Sequence, residues 1–198
     1  MKKKIWIIAL SLFALNLLLK IIYIQVPSIA WDEPFSIYHA QMDLGKIIDH
    51  LYNGNNPPFF EILLHFWIKA FGISPMSVRF LPLIFSCMTA VMIFLLGNRF
   101  FPLKTGIIAS LLFTFSNFHL FFAHEARVYA LFGLLTVLAI HLFLCLIQDN
   151  KNKTITFWLI FVNALLLYTH YFGFFVLLIQ GITVILIRDV SRKSFLKF

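Results

Sequence analysis

Residues 155–187 read ITFWLIFVNALLLYTHYFGFFVLLIQGITVILI, and how this stretch divides decides the fold. Only Thr169-His170 separates its two apolar runs, 155–168 and 171–187, and neither Gly nor Pro marks a turn between them. One long helix therefore competes with two membrane spans. Outside the stretch, apolar runs at 5–26, 80–97, 106–122 and 128–147 approach the roughly 20 residues that cross a bilayer. Cytoplasmic loops concentrate Lys and Arg, which decides between the readings. With six spans and a cytoplasmic N-terminus, that side holds Lys2, Lys3, Lys4, Arg99, Lys104, Lys151, Lys153, Arg188, Arg192, Lys193 and Lys197, and the other side only Lys46, Lys69, Arg79 and Arg127. Merging 155–187 into one helix would carry Arg188, Arg192, Lys193 and Lys197 to the wrong face. The chain thus reads as an all-α integral membrane protein of about six transmembrane helices, with both termini cytoplasmic.

Composition supports this class. Of 198 residues, 61% are hydrophobic and 12% charged, against roughly 25% charged in a soluble domain. The net charge of +8 is read as a topology signal, and nucleic acid is not expected as a partner. Cys87 and Cys145 fall inside apolar runs, so no disulfide framework or zinc-type spacing exists. Ser28-Ile29-Ala30 loosely resembles a signal-peptide cleavage site, but the apolar stretch before it exceeds a normal signal core, and 5–26 is read as a retained span. The topology also sorts the acids. Asp32, Glu33, Asp43, Asp49, Glu61 and Glu125 fall on or near the non-cytoplasmic face, leaving Asp149 and Asp189 inside, so any chemistry is expected outside.

The external loop 27–79 is too polar for a span and too apolar for a free loop. Leu44, Ile47, Ile48, Leu51 and Tyr52 recur at helical spacing opposite Asp43, Lys46, Asp49 and His50, predicting one amphipathic helix on the membrane surface over 34–52. Asn53-Gly54-Asn55-Asn56-Pro57-Pro58 breaks it, and a second interfacial helix follows over 59–71. On that helix Glu61, His65 and Lys69 form a stripe, expected to be a solvated face rather than a metal site. Asp32-Glu33-Pro34 opens the loop. An acid before Pro can cap a helix, whereas a partly desolvated carboxylate at the membrane boundary can act as a general base, and one adjacent pair can do both.

Two further polar clusters share the predicted external face. His124-Glu125-Ala126-Arg127-Val128-Tyr129 joins the third and fourth spans. Arg127 either snorkels to the interface or grips a phosphate through its planar fork of donors, with His124 and Glu125 orienting it or the acceptor. Thr169-His170-Tyr171-Phe172-Gly173 is either an aromatic belt or a third wall of the same cavity.

These stretches, with Asn56-Pro57-Pro58-Phe59-Phe60, Leu63-Leu64-His65-Phe66-Trp67, Phe71-Gly72 and Val78-Arg79-Phe80-Leu81-Pro82, occur in an order that resembles the amino-terminal part of GT-C glycosyltransferases. The similar branch contains protein mannosyltransferases, aminoarabinose transferases and Rgt-type galacturonosyltransferases, and the likeness extends over essentially the whole chain. It implies an inverting transfer of a sugar from a polyprenyl-phosphate carrier to a hydroxyl of a glycan, lipid or protein acceptor. The setting implied is the plasma (inner) membrane, with the active face periplasmic or extracellular. Asp32 matches the family's acidic position, the implied catalytic base, and Glu33 its frequent acidic neighbour. Arg127 is implied near the lipid phosphate, and His124, Glu125, Tyr129, His170 and Tyr171 as residues lining the substrate cavity. No protein metal ligands are implied and no cofactor is certain. A divalent metal stays open, because aminoarabinose transferases carry Glu-Lys where this chain has Asn55-Asn56. Family members usually run to some 400 residues or more, so the 198-residue chain is expected to be a truncated module, and a catalytically incomplete carrier-binding subunit is the alternative.

Overall fold

The computed structural model describes residues 2–22, 24, 32–54, 56–149 and 151–189. Ser28-Ile29-Ala30, Asn55, Arg192, Lys193 and Lys197 lie outside the described residues. Regular structure among the described residues is entirely helical. Three helices are long and apolar enough to cross a membrane: α1 (Lys2–Ile21), α5 (Pro75–Phe100) and α8 (Tyr129–Gln148). A fourth candidate is the pair α6 (Leu103–Thr114) and α7 (Asn117–Ala123), bent by 64° at its break. The stretch 155–187 is divided between two shorter apolar helices, α9 (Lys153–Leu167) and α10 (Gly173–Asp189).

The central helix is α5, which packs against α1, α6 and α8. Its start is specified locally: Pro75 supplies a preset first turn, and the Ser74 hydroxyl accepts the Ser77 N–H at 3.2 Å. Near its other end, Gly97 meets Gly106 of α6 so closely that a Cβ on Gly97 would stand 2.5 Å from the Gly106 Cα. Two missing side chains thus let the backbones touch. On α8, Leu131, Leu135 and Ala139 recur every four residues and pack with Val162 and Leu166 of α9, a core that continues to Phe60, Leu64, Val78 and Leu81. The turn between α9 and α10 is close-packed as well, since a Cβ on Gly173 would lie 2.9 Å from the Leu166 carbonyl oxygen.

Three expectations are corrected. The single amphipathic helix over 34–52 is two helices, α2 (Glu33–Ala40) and α3 (Leu44–Asn53), separated at 41–43. Each buries its own apolar side, Ile37 and Ala40 on α2 and Ile47 and Leu51 on α3, and both pack against α4 (Phe59–Phe71). The run 106–122 is not one straight helix, because Ser116 adopts an extended conformation that ends α6 and starts α7. The stripe on α4 is not a solvated face. Glu61 and His65 are buried and only Lys69 is exposed.

Candidate functional site

One end of the bundle gathers the start of α2, the first turns of α4 and α5, the 124–128 turn before α8 and the 168–172 turn after α9. Its anchor is ionic. Arg79, in the second turn of α5, donates from Nε to Glu33 Oε1 at 2.8 Å and from Nη2 to Glu33 Oε2 at 2.6 Å. The same guanidinium donates from Nη1 to the Ile24 carbonyl at 3.1 Å, and the Ala126 N–H donates to Glu33 Oε1 at 2.9 Å. Both side chains are almost fully buried, at 2% and 4% exposure. A paired, fully hydrogen-bonded carboxylate can be tolerated at such burial, and the pair ties α2, α5 and the 126 turn together.

Arg127 forms a second, more open centre. Its Nη1 donates to Ser36 Oγ at 3.1 Å, and Ser36 in turn donates to Glu61 Oε1 at 2.8 Å. Its Nη2 lies 3.9 Å from Asp32 Oδ2, and the guanidinium sits 5.2 Å from the Phe35 ring and 5.9 Å from the Tyr129 ring. Asp32 is the exposed member, with 68% of its side chain accessible. It occupies the N-cap position of α2 yet makes no side-chain cap bond, so local capping does not account for its carboxylate. Burial pushes the Glu61 carboxyl above the ordinary carboxylate range, with the Ser36 hydrogen bond opposing. Burial also raises Glu125, which the nearby Arg127 partly offsets. Glu125 Oε2 and Arg127 Nε are buried without a hydrogen-bond partner among the described residues.

Two histidines have fixed proton positions. The Phe172 N–H donates to His170 Nδ1 at 3.1 Å, and burial with the Arg127 charge lowers the His170 pKa. His170 is therefore neutral with its proton on Nε2, a donor. His124 bonds through Nε2 to the Lys20 carbonyl, and burial lowers its pKa too. His124 thus docks the 124–128 turn on the end of α1.

Three concavities adjoin here. A polar pocket of about 50 Å³ is lined by Asn56, Glu61, Arg127, Thr169, His170 and Tyr171 among others. His170 also lines an apolar cavity of about 560 Å³ between α5, α7 and α8, whose wall includes Tyr129, Phe113, Phe122 and Gly133. On the opposite side, Asn56, Pro57 and Tyr171 are shared with a groove of about 360 Å³ beside Ile48, Tyr52 and Tyr168. A polar chamber between two greasy ones suits amphiphilic molecules that present a polar head to Arg127 and Glu61.

The structure brings together Asp32, Arg127, Tyr129, His170 and Tyr171 as the sequence suggested. Glu125 lies beside them, Glu33 faces Arg79, and His124 faces α1. Arg79, Ser36 and Glu61 were missed. Arg79 entered only the charge count and one motif, and Glu61 was assigned to a solvated stripe. No group of three or more His, Cys, Asp or Glu side chains with metal-holding geometry occurs among the described residues. His65, one turn from Glu61, spends Nδ1 on the Ala40 carbonyl at 2.9 Å. Among the described residues Glu61 and His65 thus have no third such ligand beside them.

A family model described as dolichyl-phosphate-mannose-protein mannosyltransferase matches residues 55–198. No curated protein and no solved structure matches the chain. The matched stretch contains α4 to α10 and hence Glu61, Arg79, Arg127 and His170, while the Asp32-Glu33 pair precedes it. By that match this chain, helical throughout its described regular structure, belongs to the dolichyl-phosphate-mannose-protein mannosyltransferase family, membrane glycosyltransferases of the GT-C kind.

Proposed function

We propose that this chain is a glycosyltransferase module that moves a sugar from a polyprenyl-phosphate carrier to an acceptor hydroxyl on the non-cytoplasmic face, with inversion. The observation that carries this reading is the Arg127 pocket, polar and opening beside a large apolar cavity through a shared His170. The carrier's hydrocarbon lies in the apolar cavity, and its phosphate meets the Arg127 fork and the Nε2–H of His170. Tyr129 and Tyr171 line the path, and Glu61 and Glu125 offer hydrogen-bonding groups to sugar hydroxyls.

In the transfer step the acceptor oxygen attacks the anomeric carbon from the face opposite the phosphate. Its proton passes to Asp32, the carbon–oxygen bond to the phosphate breaks, and the departing phosphate takes the electron pair under the positive charge of Arg127. Asp32 and Arg127 are 3.9 Å apart, and the transfer step requires that pair to part, Arg127 turning to the phosphate and Asp32 to the acceptor hydroxyl on the opposite face of the sugar. Glu33, held by Arg79, positions the neighbouring Asp32. The same reading makes 1–198 a single module with six spans, counting α9, α10 and the bent pair, and lays α3 and α4 at the interface over the cavity. It places the enzyme in the plasma (inner) membrane with both termini cytoplasmic.

The test is transfer of a labelled sugar from polyprenyl-phosphate donors by purified protein in lipid vesicles, beside Asp32→Asn. Loss of turnover by at least a hundredfold with carrier binding retained supports Asp32 as the base. Undiminished transfer in the variant removes it from that role, and carrier binding without transfer in the wild type favours the binding-only alternative.

A further inference from the structure

Lys20 is a cation whose situation the reaction above does not use. It occupies the last turn of α1, is fully buried, and has no carboxylate within 4.0 Å among the described residues. Its ammonium donates to Ser86 Oγ at 2.8 Å and stands 5.0 Å from the centre of the Phe113 ring. Burying a charge without a counter-charge is costly, and proteins tolerate it where a ligand or partner supplies the opposite sign. The two arginines at this end each face an acid: Arg79 has Glu33 and Arg127 has Asp32.

Ser86 and Phe113 both line the 560 Å³ apolar cavity, together with His119 and Thr89. Because Ser86 Oγ accepts from Lys20, its own O–H is left to donate, and no acceptor for it occurs among the described residues. By contrast, Thr89 on the same helix donates to the Phe85 carbonyl at 2.8 Å. Apart from Tyr129, Thr136 and His170 the rest of the wall is apolar, so the Ser86 hydroxyl, backed by an ammonium, is a polarised donor in a mainly greasy surface.

We propose that the Ser86 hydroxyl in the wall of the apolar cavity, with the buried Lys20 ammonium behind it, forms an anion-binding point that takes the phosphate of an amphiphile whose hydrocarbon fills the cavity. The transferase reading enters only in naming that amphiphile as a polyprenyl monophosphate. In that case the carrier is first held at Ser86 and Lys20 in the cavity, and Arg127 takes the phosphate over as the sugar reaches the mouth of the polar pocket.

The experiment measures binding of a polyprenyl monophosphate, the neutral polyprenol of equal chain length, and inorganic phosphate to the full chain in nanodiscs. Wild type, Lys20→Met and Ser86→Ala are compared, with thermal melts alongside. The expected result is at least a tenfold weaker monophosphate affinity in both variants, polyprenol affinity unchanged, and a melting temperature in Lys20→Met equal to or above wild type, since an unpaired buried charge has been removed. Equal losses for polyprenol and monophosphate overturn the proposal. So does unchanged monophosphate binding with a lowered melting temperature, the signature of a purely structural lysine. Inorganic phosphate binding that depends on Lys20 and gains nothing from the prenyl chain overturns the amphiphile assignment. Absence of sugar transfer by the wild type with Lys20-dependent binding intact would sink the transferase reading and leave this one standing.

Discussion

Arg79 and Glu33 hold each other in a site that neither could occupy alone. Arg79→Met takes the guanidinium away from the buried Glu33 carboxylate, and the expected cost is about 3–5 kcal/mol. Thermal unfolding in detergent micelles checks this, and a melting temperature within a degree or two of wild type would show that the pair is dispensable. Glu61 predicts a different dependence. Its folded-state carboxyl is raised by burial, so folding takes up a proton. The associated stability is fully present below the unfolded Glu value and is lost as pH rises through the raised folded value. Glu61→Gln cannot ionise, keeps an acceptor for Ser36, and is expected to flatten the fall of melting temperature between mildly acidic and neutral pH. Parallel pH profiles for variant and wild type would contradict the buried, raised carboxyl. The contrast between Asp32, exposed and uncapped, and Glu33, buried and bidentate, is also set at this scale. Two adjacent acids in the sequence are indistinguishable until their surroundings differ.

At the scale of elements, α5 and α6 touch through Gly97 and Gly106, where even a methyl group has no room. Gly97→Leu is expected to push the helices apart and to destabilise by about 1–3 kcal/mol. Gly181→Ala is the comparison, because nothing lies within 4 Å of its Cβ position on α10, and the added methyl favours the helix by up to about 1 kcal/mol. Thermal melts of the two variants should move in opposite directions. Most helices were legible as apolar runs, and α9 and α10 emerge as two helices as charge counting required. Two breaks were not legible. Gln41-Met42-Asp43 and Phe115-Ser116 contain neither Pro nor Gly, so local propensity would let a helix run through both. Packing overrides it: α2 and α3 each turn a separate apolar side to α4, and α7 turns away from α6 to bring its end, Ala123, into the core beside Leu83 and Cys87.

At the scale of the molecule, the polar chamber, the cavity behind it and the α2–α3–α4 layer all lie at one end of the bundle. The six-span reading predicts which side of the membrane that end faces. In a background with Cys87 and Cys145 replaced by Ser, Lys46→Cys should react in intact cells with a membrane-impermeant thiol reagent, whereas Lys104→Cys should react only after the membrane is opened. Both residues are exposed, so access rather than burial decides the outcome. Labelling of Lys104→Cys alone would invert the topology and place the Arg127 chamber on the cytoplasmic side.

What the sequence determined by itself was that the chain is helical and belongs in a membrane. Those properties follow from composition and apolar run length, both of which are local or additive. The tertiary structure alone decided which polar groups meet. Glu33 finds Arg79 across 46 positions and the Ala126 amide across 93, and Ser36 reaches Glu61 across 25, separations with no periodicity to announce them. It also decided that Glu61 is buried and Asp32 exposed. Burial is a property of how the helices pack around a side chain, and only the packed bundle supplies the low-dielectric surroundings in which a carboxylate's neighbours set its chemistry.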